Sequence, residues 1–188
     1  MATEKTGAAL TKVTTGKVRL SYVHLFEPFS NIPGQEPKYS VVLLIPKSDK
    51  VTMRSLRAAQ EAALEAGITS KFNGKKPGEW KDTIHDGDKA DLERNPEYEG
   101  HWSVSVSSKT KPGIVDRDVS PIMDSTLVYS GCYARVSLNA FPYNAQGTKG
   151  VSFGLNHVQF MADGDFLGGR SKAEDDFDSL PADDDDFL

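Results

Sequence analysis

At 188 residues the chain has room for one domain with a real core, or one domain and a tail. The single cysteine, Cys132, excludes a disulfide framework, and no run approaches the roughly 18 apolar residues that a membrane-crossing helix needs. The net charge of −5 hides an asymmetry: eight of the 27 acidic residues lie between Ala173 and Leu188 with no lysine or arginine among them. The remaining 22 basic and 19 acidic residues leave the body at +3, so a mildly basic body carries a strongly acidic tail. That division suggests a body that binds a polyanion and a tail that can compete with it. The opening "MATEKTGAALTKVTTGK" has charge and threonine where a signal peptide has an apolar centre, and a soluble, cytoplasmic protein is expected.

In chain order, "KVRLSYVHLF" (17–26) alternates and predicts a half-buried strand with Val18, Leu20, Tyr22, His24 and Phe26 on one face. "EPFSNIPGQEP" is rich in turn residues and predicts a loop. "KYSVVLLIP" (38–46) is a continuous apolar run ended by Pro46, the pattern of a central strand. The period then changes. Ser48 or Asp49 can cap a helix that carries Met53, Leu56, Ala59, Ala63 and Ala66 at spacings of three and four and stops at Gly67. Residues 70–99 are irregular and predict a long insertion. Strands resume at "HWSVSVSS" (101–108), "GCYARVSLNAF" (131–141) and "VSFGLNHVQF" (151–160), the last two joined through "PYNAQGTKG" as a hairpin. Five main strands, one helix and long insertions predict a mainly β fold. Its commonest five-stranded form is the oligonucleotide-binding (OB) barrel. Residues 1–172 are the expected domain and 173–188 a disordered acidic tail.

The strand at 131–141 has two distinct faces. Cys132, Ala134, Val136, Leu138 and Ala140 make a small apolar one, whereas Tyr133, Arg135, Ser137, Asn139 and Phe141 make the other. Rings at period two with a cation between them suit single-stranded nucleic acid. Stacking contributes roughly 1–3 kcal/mol per base and barely reads sequence. Tyr133 and Phe141 are the stacking candidates, with Arg135 and Asn139 between them. The structural alternative is that the rings pack under the insertion while Arg135 pairs with an acid. Lys12, Lys17, Arg19, Lys109, Lys111, Arg117, Tyr143 and Lys149 are further candidates for a nucleic-acid groove, provided that the fold brings them together.

Catalysis is disfavoured. "HDGDKAD", with Asp86, Asp88 and Asp91, is only faintly similar to a calcium loop; it lacks that loop's later ligands and its glutamate at position 12, and reads as a turn. His24, His85, His101 and His157 are scattered without metal spacing, and "GDFLGGR" lacks the dinucleotide fingerprint. Neither a cofactor nor a metal is expected.

"YVHLFEP" (22–28), "EPKYSVVLLIPKSD" (36–49), "IHDGDKAD" (84–91), "GHWSVSVSSKTKPGIVDRDVSPI" (100–122), "YSGCYARVSLNAFPYNAQGTKGVSFGLNHVQF" (129–160) and "LGGRSKAEDDFD" (167–178) occur in one order across nearly the whole chain. In these stretches the chain resembles the phage single-stranded DNA-binding proteins long catalogued as a phage domain of unknown function. The resemblance implies an OB barrel that coats transient single strands in phage replication, recombination or repair. It also implies an acidic tail that recruits partners and competes with DNA, in the cytoplasm of the bacterial host.

In such tails the acids meet basic residues around a partner's pocket and a terminal aromatic residue enters it. Here Asp183, Asp184, Asp185 and Asp186 precede Phe187 and Leu188, so the ring is penultimate, a departure that leaves the anchoring residue open. "EDDFDSL" (174–180) offers an internal copy of the acidic-aromatic unit. The plainer reading of the tail is solubility. Three function classes follow, in this order: a sequence-tolerant single-strand binder that can also meet duplex DNA through phosphates, an interaction adaptor of a replication complex that works through its tail, and a metal-dependent nuclease using Asp86, Asp88 and Asp91.

Overall fold

The alternating segments become strands of one mixed sheet in the computed structural model, which describes residues 10–167 and 177–180. In chain order they are β1 (Lys12–Thr14), β2 (Val18–Phe29), β3 (Lys38–Pro46), the short β4 (Lys81–Asp82) and β5 (Ile84–Asp86), β6 (His101–Ser108), β7 (Gly113–Val115), β8 (Tyr133–Ala145) and β9 (Thr148–Ala162). The five long strands pair in a cycle: β2 with β3, β3 with β6, β6 with β9, β9 with β8, and β8 again with β2. Two seams are narrow. β6 meets β9 at Ser107↔Gly154, and β2 meets β8 at Val18↔Ala134 and Arg19↔Tyr133. The molecule is mainly β, an OB-like fold with one long helix.

The apolar run of β3 is explained by its place between β2 and β6, where neither edge is free. Val41, Leu43 and Ile45 enter the core, and Leu44 on the other face is equally buried. Facing them are Val104 and Val106 of β6, and Ala134, Val136 and Leu138 of β8. The small apolar face expected on β8 is therefore a core wall, and it alternates cleanly with Tyr133, Arg135, Ser137, Asn139 and Phe141 outside. The hairpin between β8 and β9 is tighter than "PYNAQGTKG" suggests. Ala145 pairs with Thr148, and only Gln146 and Gly147, both at positive φ, make the turn.

The expected face of β2 holds only as far as Leu20. Ser21 pairs with Val42, but the next pair is His24↔Ser40, so β2 carries one extra residue there, and Tyr22 has φ +47°. An extra residue reverses the parity of everything after it. Leu25 is consequently the buried residue, Tyr22 is exposed, and His24 and Phe26 are only half-buried.

Helix α1 (Lys50–Ser70) begins where Asp49 accepts from the Thr52 backbone N–H at 3.0 Å and from the Thr52 hydroxyl at 2.6 Å. It buries Leu56, Ala59, Gln60, Ala63, Leu64 and Gly67, whereas Met53 is half-buried and Ala66 exposed. Gly67 is not the helix stop. It lies inside the helix where a Cβ would stand 2.5 Å from the Phe72 ring and 2.7 Å from Pro142. The N–H groups of Lys71 and Phe72 both close on the Gly67 carbonyl beyond it.

The insertion at 70–99 is tied down rather than loose. Lys47 donates to Asp86 and Asp88 at 2.6 Å each, with its ammonium 4.8 Å from the Trp102 ring centroid. Tyr98 is buried and hydrogen-bonded to Ser21. The expected domain boundary after residue 172 and the tail residues Asp183–Leu188 lie outside the described residues. Of the internal unit, Phe177 and Leu180 are described and exposed.

Candidate nucleic-acid interface

Two surfaces combine rings with cations. The first is the outer face of β8 and β9, where Lys12 pairs with Asn139, Tyr133 with Arg19, and Arg135 with Gln159. Arg135 is exposed and reaches the Thr15 carbonyl at 3.4 Å. Beside it Thr14, Val115, Val119, Ser137 and His157 enclose a shallow hollow of about 200 Å³. Asn139 accepts from Asn156 at 3.0 Å. Phe141 is 44% exposed, and its ring lies where a Cβ on Gly154 would be in van der Waals contact with it. Tyr143 and Lys149 sit on either side of the hairpin near its turn. Arg117, in the loop after β7, donates to the Met161 carbonyl at 3.3 Å.

At one end of this face Tyr133 is already engaged. The Lys17 ammonium is 4.7 Å and the Arg19 guanidinium 5.8 Å from its ring centroid. Arg19 also donates to the Gly131 carbonyl (3.2 Å) and the Asp165 carbonyl (2.8 Å), which ties residues 163–167 across the end of β8. Tyr129 and Ser130 hold the same segment through Gly164 and Leu167. Gly131, at φ +116°, lets it pass where a Cβ would stand 1.9 Å from the Asp165 oxygen. Lys17, Arg19 and Tyr133 thus come together in the fold, where Arg19 also helps to hold a structural strap.

The second surface lies along the second half of β2 and the loops that follow β2, β6 and β7. His24 stacks on Phe29 with centroids 4.2 Å apart and planes 7° from parallel. Lys111 stands 5.7 Å from the Phe26 ring centroid, and the two border a hollow of about 500 Å³ with His24, Met123 and Ser125. Tyr22, Phe29 and Ile32 are about half exposed. Lys109 lies at the end of β6 and meets Glu36 at 3.3 Å in an exposed pair, a contact of little energy. Burial lowers the pKa of His24, which keeps it a neutral ring near pH 7.

Sequence reasoning found Lys109 and Lys111 here but missed Tyr22, His24, Phe26 and Phe29, because it placed three of them on a buried face. The available signal was crowding. Four rings in one 12-residue strand are more than one inward face accommodates.

The other chemistries find little support. Lys47 holds Asp86 and Asp88 below the ordinary carboxylate range, and Asp91 caps a turn by accepting from Arg94 N–H. Among the described residues no group of three or more His, Cys, Asp or Glu could hold a metal ion. Cys132 is buried, and that burial raises its thiol pKa. No described helix is long and apolar enough to cross a membrane.

The family model described as "Enterobacter phage Enc34, ssDNA-binding protein" matches residues 11–188. The chain belongs to this family. A curated relative, putative protein p50 of Acyrthosiphon pisum secondary endosymbiont phage 1, is 32% identical over 177 residues, covering 90% of this chain and 94% of its own. Among solved structures, the single-stranded DNA-binding protein from bacteriophage Enc34 in complex with ssDNA is 25% identical with a TM-score of 0.68, covering 89% of this chain and 97% of that one. The fold alone is shared with gp2.5, a single-stranded DNA-binding protein of bacteriophage T7, at 16% identity and a TM-score of 0.61, over 92% and 98% of the two chains. The family and the two solved structures are described as single-stranded DNA-binding proteins, a class of binding proteins rather than enzymes.

Proposed function

We propose that this phage protein binds single-stranded DNA with little regard to sequence, and coats it during phage DNA replication, recombination or repair in the cytoplasm of the bacterial host. Membership of the family supports single-strand binding. The observation that carries the binding path is the cluster of His24, Phe26 and Phe29 of β2 with Lys111 from the loop after β6. In OB folds the face of the second and third strands is where oligonucleotides lie, and β3 and β6 hold those places here. Rings meet bases, while Lys109 and Lys111 meet phosphates, and the same cations can meet duplex phosphates. In this reading the acidic tail, through Asp183–Asp186, Phe187 and Leu188, competes for the cations and recruits replication or recombination proteins.

The β8–β9 face is the second path, favoured by the exposure of Arg135 and Phe141. Anisotropy titration of a labelled oligothymidine separates the two. On the first path Phe29→Ala weakens binding by about 1–3 kcal/mol at every salt concentration. There Lys111→Ala lowers the salt slope by roughly 0.7. If Phe141→Ala and Arg135→Ala have these effects instead, the strand lies over β8 and β9. No binding by the unmodified chain would remove the single-strand reading altogether.

A further inference from the structure

The bulge in β2 has a feature that coating DNA does not require. Tyr22 occupies φ +47°, a conformation that a bulky residue keeps only where its surroundings hold it there and one that clusters at ligand-binding positions. The hold is visible. The Tyr22 hydroxyl donates to Asn95 Oδ1 at 2.9 Å, and the next backbone N–H, of Val23, donates to the Ser130 hydroxyl at 3.1 Å. The ring remains about half exposed at the rim of a hollow of about 500 Å³, bordered by His24, Arg94, Asn95, Glu97 and Ser130. That volume is within the range of small-ligand clefts.

We propose that this hollow takes one unpaired nucleobase and prefers cytosine or adenine, whose exocyclic amine stands beside a bare ring nitrogen, over thymine. The inference rests on the single-strand reading above. The Tyr22 ring offers a stacking face beside the stacked pair of His24 and Phe29. Arg94 supplies a cation for the attached phosphate, and no ion pair engages Arg94 or Glu97 among the described residues. Glu97 is the informative member. A carboxylate beside a DNA path repels phosphates, so its presence there is favourable only if it accepts a hydrogen bond from the bound base.

The amine of cytosine makes that bond, with the neighbouring ring nitrogen left as an acceptor for the Asn95 amide. Thymine instead brings two carbonyl oxygens flanking its one N–H, and at least one of them faces the carboxylate. The insertion at 70–99 therefore supplies the edge of a base-reading pocket through Arg94, Asn95 and Glu97, while β2 supplies its stacking platform.

The test is competition between oligocytidine and oligothymidine deoxynucleotides of equal length for the full chain, read by anisotropy. The unmodified protein is expected to favour the cytosine strand by about five- to tenfold. Glu97→Gln, which keeps the shape and removes the charge, should tighten thymine binding and bring the ratio towards one. Its thermal midpoint and salt slope should stay unchanged. Equal affinity for both strands in the unmodified protein overturns the inference and leaves single-strand binding standing, as does a preference that Glu97→Gln does not alter. Failure to bind either strand removes the underlying reading instead.

Discussion

Gly67 sits where Phe72 and Pro142 close over the last turn of α1, and the three residues show how two opposed effects are weighed. Alanine is the better helix former by about 1 kcal/mol, which alone would make Gly67→Ala stabilising. Its Cβ, however, would lie 2.5 Å from the Phe72 ring and 2.7 Å from Pro142, closer than any real contact. Overpacking of a filled site costs about 1–3 kcal/mol, so the clash wins. Urea unfolding of Gly67→Ala should show a lower midpoint with an unchanged m-value and a net loss of about 1 kcal/mol. A raised midpoint would mean that the Phe72 ring has another place to go. The same close approach explains why the glycine misled as a helix stop. Its role is set by residues that come after the helix, not by the helix it interrupts.

Among elements, the insertion at 70–99 depends on Lys47, which leaves the end of β3 to reach Asp86 and Asp88. Both aspartates have pKa values lowered by that ammonium, so their contribution to stability is complete above the ordinary carboxylate range and is lost as pH falls from there through their lowered values. The Lys47 pKa is raised by the same bonds, so its contribution is lost only at strongly alkaline pH. Thermal midpoints measured from neutral to acid pH should therefore fall more steeply for the unmodified chain than for Lys47→Met. Equal slopes would show that the clamp contributes nothing.

Elements also mark what a sequence can and cannot show. The two faces of β8 were legible because the extra residues at its two irregular points with β9, Met161 and Asn156, lie in β9 and leave the alternation of β8 intact. The continuous run of β3 was legible because it has no free edge. The bulge at Tyr22 was not, since neither glycine nor asparagine announces it and it arises from pairing with β3. With it went the rings of the second surface, and Lys109 and Lys111 were found only because cations were counted one by one.

For the whole molecule the deciding quantity is the opposition between a body at +3 and a tail at −8. Removal of residues 173–188 should tighten oligothymidine binding at low salt, with a gain that shrinks as screening shortens the reach of the charges. An unchanged affinity at low salt would mean that tail and DNA do not share a site. A different consequence follows from the seam at which β2 meets β8. Val18 and Ala134, which pair there, are about 116 positions apart, so the edge of β2 has no partner until most of the chain exists. At about 5–20 residues per second, synthesis leaves that edge waiting on the order of ten seconds. During this interval the backbone groups of Val18 and Arg19 on that edge have only water as a partner, as on any template for strand addition. The first long strand to be made thus keeps one edge open to wrong partners until β8 arrives and closes it at Val18 and Arg19.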